Sequence, residues 1–115
     1  MTVPKLTSDM PTKDFDLMVV QARKASDLLK ALSHETRLLI LCILSEGEKS
    51  VSELEDILSM PQAAVSQQLA RLRMDALVET RRDGRMVYYS IVNRDVVSVV
   101  GTLYDLFCAP IREED

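Results

Sequence analysis

The stretch SVSELEDILSMPQAAVSQQLARLRMDALVETRRDGRMVYYSIV, residues 50–92, decides the fold. Ser50-Val51-Ser52-Glu53 has the spacing of a capping box and opens a short helix with Val51, Leu54 and Leu58 on one stripe. Met60-Pro61 breaks it, and Ser59 or Met60 is expected to cap the next helix with Pro61 in its first turn. That helix reads PQAAVSQQLARLRM: Val65, Leu69 and Leu72 recur on one face, and Gln62, Ala63, Ser66, Gln67 and Arg71 lie mostly on the other. Val78, Thr80, Val87, Tyr88, Tyr89 and Ile91 are strand formers flanking Asp83-Gly84, a hairpin signal.

Working outward, Leu17, Val20, Leu28, Leu29 and Leu32 place a first helix from Asp14 to Ala31 or Leu32. Ser33 is expected to cap a second helix whose LLILCIL run, 38–44, is apolar on every side and so belongs mid-core, with Gly47 allowing a left-handed stop. Asn93 caps a last helix striped by Val96, Val99, Val100, Leu103, Leu106 and Phe107, which Pro110 ends. The expected order is α-α-α-α-β-β-α, a mainly helical winged helix-turn-helix. Its domain spans 14–109, between an N-terminal arm at 1–13 and a tail at 110–115. Two wide apolar stripes on the outer helices exceed what so small a core uses, and point to a homodimer through the first and last helices.

Composition narrows the class. Of 115 residues, 47% are hydrophobic, enough for a packed core and against a disordered tail. Three Gly and four Pro are too few for a turn-rich β-sandwich. No apolar stretch has membrane-span length, and no secretory signal is read at the N-terminus. Two Cys are too sparse for a disulfide-built scaffold. The expectation is a soluble, cytoplasmic protein without membrane contact. With no Cys-x-x-Cys, no Gly-rich phosphate loop and no paired catalytic base, no catalytic residues, cofactor or enzymatic activity are expected.

Net charge is −4, yet 61–94 carries six Arg (Arg71, Arg73, Arg81, Arg82, Arg85 and Arg94) against three acids, while the rest of the chain carries eight cations against fifteen acids. A basic window that coincides with a polar helix face and a hairpin is the footprint of double-stranded DNA binding. The candidate DNA-binding residues are Gln62, Ala63, Ser66, Gln67, Gln68 and Arg71 on the second helix of the pair, and Arg81, Arg82 and Arg85 at the wing. Gln can bond an adenine edge twice, Ser bonds either base, Ala touches a thymine methyl, and Arg forks onto phosphate. Taken singly, each stretch is also an ordinary solvated surface. Their conjunction and order favour DNA, and a two-fold dimer would read an inverted repeat with half-sites roughly 34 Å apart.

The segment ALSHETRLLILCILSEGEKSVSELEDILSMPQAAVSQQLARLRMDALVETRRDGRMVYYSI resembles the ArsR/SmtB family of dimeric bacterial repressors. The likeness covers about residues 28–107 and is most specific in L-S-H-E-T-R-L, A-V-S-Q-Q-L-A-x-L-R and G-R-x-V-Y-Y-S-I. It implies a homodimer that holds its operator until an inducer binds. The metal-sensing branches place Cys-x-Cys in the third helix or Asp and His in the last. Here 50–56 has no Cys, Asp95 has no His beside it, and His34 is the only His, so no metal site is expected. Cys42 and Cys108 remain. Either thiol alone reads as a small buried hydrophobe. Their placement, one in the second helix and one ending the last, is similar to the BigR/SqrR-like, persulfide-sensing branch. That resemblance implies that low-molecular-weight persulfides are the inducer and that Cys42 and Cys108 are the redox sensor, closing a di- or polysulfide bridge. Two other readings remain open: the same fold sensing metals or general oxidants, and a winged-helix protein-interaction module without a DNA role.

Overall fold

Eight elements follow one another in the computed structural model, which describes residues 8–108 and Ile111: α1 (Thr12–Leu32), α2 (Glu35–Leu44), β1 (Lys49–Ser50), α3 (Val51–Leu58), α4 (Gln62–Met74), β2 (Val78–Asp83), β3 (Met86–Ile91) and α5 (Arg94–Phe107). The winged helix-turn-helix expectation holds, with one element added. Lys49 and Ser50 pair antiparallel with Tyr89 and Tyr88, so the sheet has three strands in the order β1-β3-β2. A two-residue strand is too short to leave a periodic pattern. Residues 1–7 of the expected arm and most of the expected tail lie outside the described residues.

The chain divides into two compact units, residues 1–30 and 31–115. The first holds most of α1, which begins at Thr12 rather than Asp14 because the Pro11 carbonyl accepts from the Phe15 N–H at 3.1 Å. Phe15, Leu17, Val20 and Leu29 stand exposed on it.

In the second unit Ile40, Leu41, Leu54, Val65, Leu69, Leu72 and Val100 are fully buried. Burial of each contributes about 1.5–3 kcal/mol relative to exposure. The expected inward stripe of α4 is therefore correct at Val65, Leu69 and Leu72. The expectation that α2 lies wholly inside is not: Ile40, Leu41 and Leu44 are buried, but Leu39 is 46% exposed. A run apolar on all sides does not say which side finds neighbours within one chain. In α5, Val96 and Val100 are buried, whereas Leu106 and Phe107 at its end are exposed.

Helix ends correct three expectations. His34, not Ser33, takes the N-cap position of α2, with extended backbone and no side-chain cap bond. The joint after Leu32 is only two residues long, and His34 is the one whose carbonyl receives the Leu38 N–H, at 3.0 Å. Pro61 itself is the N-cap of α4, accepting from the Ala64 and Val65 N–H groups at 3.0 and 3.2 Å, while Ser59 closes α3 in a left-handed conformation. Proline disfavours helical backbone in the residue before it, which keeps Met60 out of the helix. Helix α2 stops at Leu44, ahead of the expected Glu46-Gly47, through tight turns from Glu46 to Ile43 and from Gly47 to Leu44. Two caps stand as expected: the Ser50–Glu53 box is complete, and the Asn93 side chain accepts from the Asp95 N–H at 2.7 Å.

Candidate nucleic-acid interface and thiol pair

Ser50 anchors the helix pair. Its hydroxyl accepts from the Glu53 N–H at 3.2 Å, its own N–H donates to the Glu53 carboxylate at 3.1 Å, and its side chain is buried. Helix α3 is thus fixed to the sheet at its first residue. Left-handed Ser59 turns the chain, and α4 follows as a rod of about 20 Å, long enough to lie in a major groove.

The outer face of α4 presents Gln62, Ala63, Gln67 and Arg71 to solvent, with Ser66 half-buried beside them. Gln68 sits differently: it is half-buried, and its carbonyl oxygen accepts from the Arg37 guanidinium at 3.3 Å. Arg37 also donates to the Ala31 carbonyl near the end of α1 at 2.9 Å, and through Gln68 it links α2 to the helix that carries the candidate readers. Arg71 approaches Asp75 at 3.4 Å as an exposed pair one turn apart. Such a pair gives way easily to a phosphate.

Helix α4 ends in a Schellman motif: the Ala76 N–H donates to the Arg73 carbonyl and the Leu77 N–H to the Leu72 carbonyl, both at 3.0 Å. Ala76 holds the left-handed position at φ 58° that glycine usually takes. The turn aims the chain into β2. The wing pairs Val78 with Ile91 through Asp83 with Met86, so its loop is Gly84-Arg85 rather than Asp83-Gly84. Only Gly84 of the two has positive φ, the pattern of a II′ turn with Gly first.

The three wing arginines divide. Arg82 and Arg85 are exposed near the tip with no ion-pair acid among the described residues. Arg81 is joined to Glu48 through two guanidinium nitrogens and lies over the Tyr88 ring at 4.7 Å. The hydrogen bonds from Arg81 hold the Glu48 carboxyl below the usual carboxylate range. No pattern of residues marks this pair in advance, because its members are far apart in the chain and Glu48 precedes a strand with no periodic mark.

Both cysteines are half-buried, and no disulfide joins them. Cys42 lies on α2, where its carbonyl accepts from the Ser45 hydroxyl at 2.6 Å. Cys108 is the C-cap of α5, its N–H donating to the Tyr104 carbonyl. Helices α2 and α5 pack against each other within the second unit. Burial pushes the Cys42 thiol up, and negative charge on Cys108 pushes it further. The two thiols, 42 and 108 in the chain, are therefore brought within electrostatic reach of each other. Exposed His34 is the N-cap of α2. Among the described residues no three His, Cys, Asp or Glu side chains converge on a metal-sized space, and no helix is long and apolar enough to cross a membrane.

Comparison with known proteins agrees with this architecture. The family described as bacterial regulatory protein, arsR family, matches residues 34–80, from the start of α2 into β2. The biofilm growth-associated repressor of Xylella fastidiosa is 42% identical over 96 residues, 84% of each chain. The structure of reduced HlyU from Vibrio cholerae superposes with a TM-score of 0.76 at 43% identity, over 79% of this chain and 96% of that one. A homodimeric winged helix-turn-helix DNA-binding domain from Mycobacterium bovis superposes with a TM-score of 0.66 at 27% identity, over 87% and 89%. These relatives are regulators rather than enzymes, and the chain belongs to the arsR family of bacterial regulatory proteins.

Proposed function

We propose that the protein is a homodimeric DNA-binding repressor that releases an inverted-repeat operator when persulfides bridge Cys42 to Cys108. The observation that carries the reading is the thiol pair: two half-buried cysteines on helices that pack against each other in one compact unit. Support for the DNA role comes from the solvent-facing amides of Gln62 and Gln67 on α4 beside a wing bearing Arg82 and Arg85, and from the similar repressor and the similar DNA-binding homodimer.

The chemistry balances without an outside oxidant. A protein thiolate attacks the sulfane sulfur of a persulfide, R–S–SH, and RSH leaves, so one cysteine becomes Cys–S–SH. The second thiolate attacks the protein sulfur of that persulfide and expels hydrosulfide, leaving a disulfide. When both cysteines carry a sulfane sulfur first, the same displacement leaves a trisulfide. A plain disulfide requires Cα atoms about 4.4–6.8 Å apart, and an inserted sulfur relaxes that limit. Bridging ties the end of α5 to α2, and α2 holds Gln68 of α4 through Arg37. Both half-sites must engage together, so a small change in recognition-helix geometry weakens binding steeply.

The test is a DNA-release assay on the reduced protein with glutathione persulfide. Wild type is expected to release a duplex that it has enriched from a random-sequence library, while Cys42→Ser and Cys108→Ser bind that duplex and hold it. Either variant responding like wild type would remove the sensor.

A further inference from the structure

We propose that Arg81 is a positioning residue that staples the wing across its sheet, and that the wing's DNA-facing charge is carried by Arg82 and Arg85 without it. The inference rests on the DNA-binding reading above, and it separates Arg81 from the neighbours that the charge pattern groups with it.

The geometry spans all three strands. With the order β1-β3-β2, Arg81 on β2 stands opposite Tyr88 on β3, and Tyr88 stands opposite Ser50 on β1. The Arg81 side chain passes over the Tyr88 ring, 4.7 Å from its centroid, and reaches Glu48 just ahead of β1. Its Nε donates to Oε2 at 2.9 Å and to Oε1 at 3.1 Å, and Nη2 closes the fork on Oε1. A guanidinium forked onto carboxylate and laid on an aromatic face uses its planar geometry fully, which an ammonium could not. A DNA phosphate drawn to Arg81 would have to displace a bidentate carboxylate and sit beside its negative charge.

The staple ties the outer strand to the segment that follows α2. A two-stranded ribbon alone is marginal in water, and β1 is only two residues long. The cross-sheet pair therefore sets how firmly the tip is held. Glu48, an acid on a basic face, raises the affinity for DNA by ordering the wing, although its charge alone would lower it.

Binding of the enriched duplex, measured against salt for wild type, Glu48→Gln, Arg81→Gln, the double variant and Arg82→Gln, tests the assignment. Removing a phosphate contact makes the slope of log affinity against log salt shallower by about 0.9 per contact. Arg82→Gln is expected to do so. Arg81→Gln and Glu48→Gln are expected to keep the wild-type slope, each to weaken binding by roughly two- to fivefold, the span of an exposed pair, and together to be no worse than either alone. Amide hydrogen exchange in 78–91 should quicken in both single variants while the melting transition stays cooperative. A slope made shallower by Arg81→Gln as much as by Arg82→Gln overturns the proposal. So does tighter binding by Glu48→Gln, or a Glu48→Gln protein whose affinity and wing exchange match wild type. A wild-type protein that retains no duplex in a salt-dependent way sinks the DNA-binding reading instead, and the exchange measurement then decides the staple alone.

Discussion

Cys42 is a thiol held in reserve. Burial disfavours its thiolate, and the proximity of Cys108 adds to that penalty, so Cys42 keeps its proton more firmly than a free cysteine does. The sign gives a testable consequence. Alkylation of Cys42 by iodoacetamide, followed by peptide mass against pH, should reach half its maximal rate above the pH of a free thiol. Cys108→Ser removes the second cause and leaves the first, so the Cys42 midpoint should fall yet stay above the ordinary value. A midpoint unmoved by Cys108→Ser would mean that the two sulfurs do not feel each other. The position of both cysteines in their helices was legible from sequence, but their electrostatic coupling was not, since it comes from helix packing between residues 66 positions apart. Gln68 illustrates the same limit. Its side chain puts it among the candidate DNA-binding residues of α4, and only the fold reveals Arg37 on its carbonyl oxygen.

Among the elements, α4 shows best what local chemistry determines. The inward spacing of Val65, Leu69 and Leu72 was readable because a buried face repeats with the helix, and the Ser50–Glu53 box because capping needs those side chains three residues apart. The strand β1 was not, because two residues carry no period and are recruited by the edge of β3. The end of α4 was hidden for another reason: Ala76 stands where glycine would have signalled the turn. A left-handed residue with a Cβ costs about 1–2 kcal/mol, part of which the extra freedom of unfolded glycine offsets. Ala76→Gly should therefore stabilise the protein by about 1 kcal/mol in urea unfolding, with the denaturant slope unchanged. A loss of stability would mean that the Ala76 methyl makes contacts worth more than its strain.

Each of the two units leaves large apolar side chains uncovered. Phe15, Leu17, Val20 and Leu29 are exposed in the first unit, and Leu106 and Phe107 are exposed at the end of α5 in the second, Phe107 to 68%. Apolar side chains clustered in this way mark association surfaces. In the proposed homodimer a second copy of the chain would cover them, and the similar Mycobacterium bovis domain is itself homodimeric. Sedimentation should then report a dimer for wild type, and Leu106→Glu with Phe107→Glu should shift it toward monomer while circular dichroism retains the helical content. A wild-type monomer at micromolar concentration would contradict the dimer. It would also remove the reason for steep sensitivity to the angle between recognition helices. Apolar stripes on the outer helices were readable in the sequence, whereas the exposed side of α2 at Leu39 was not, because LLILCIL looks the same from every direction.

The central claim is that two thiols, distant along the chain, are joined by sulfur in response to a persulfide. Peptide mapping by mass spectrometry of reduced protein treated with glutathione persulfide tests it most directly. One species is expected in which the Cys42 and Cys108 peptides of a single protomer are linked, at the mass of a disulfide or of a disulfide carrying an added sulfur atom. Recovery of the two peptides only as separate modified species, with no mass joining them, would contradict it.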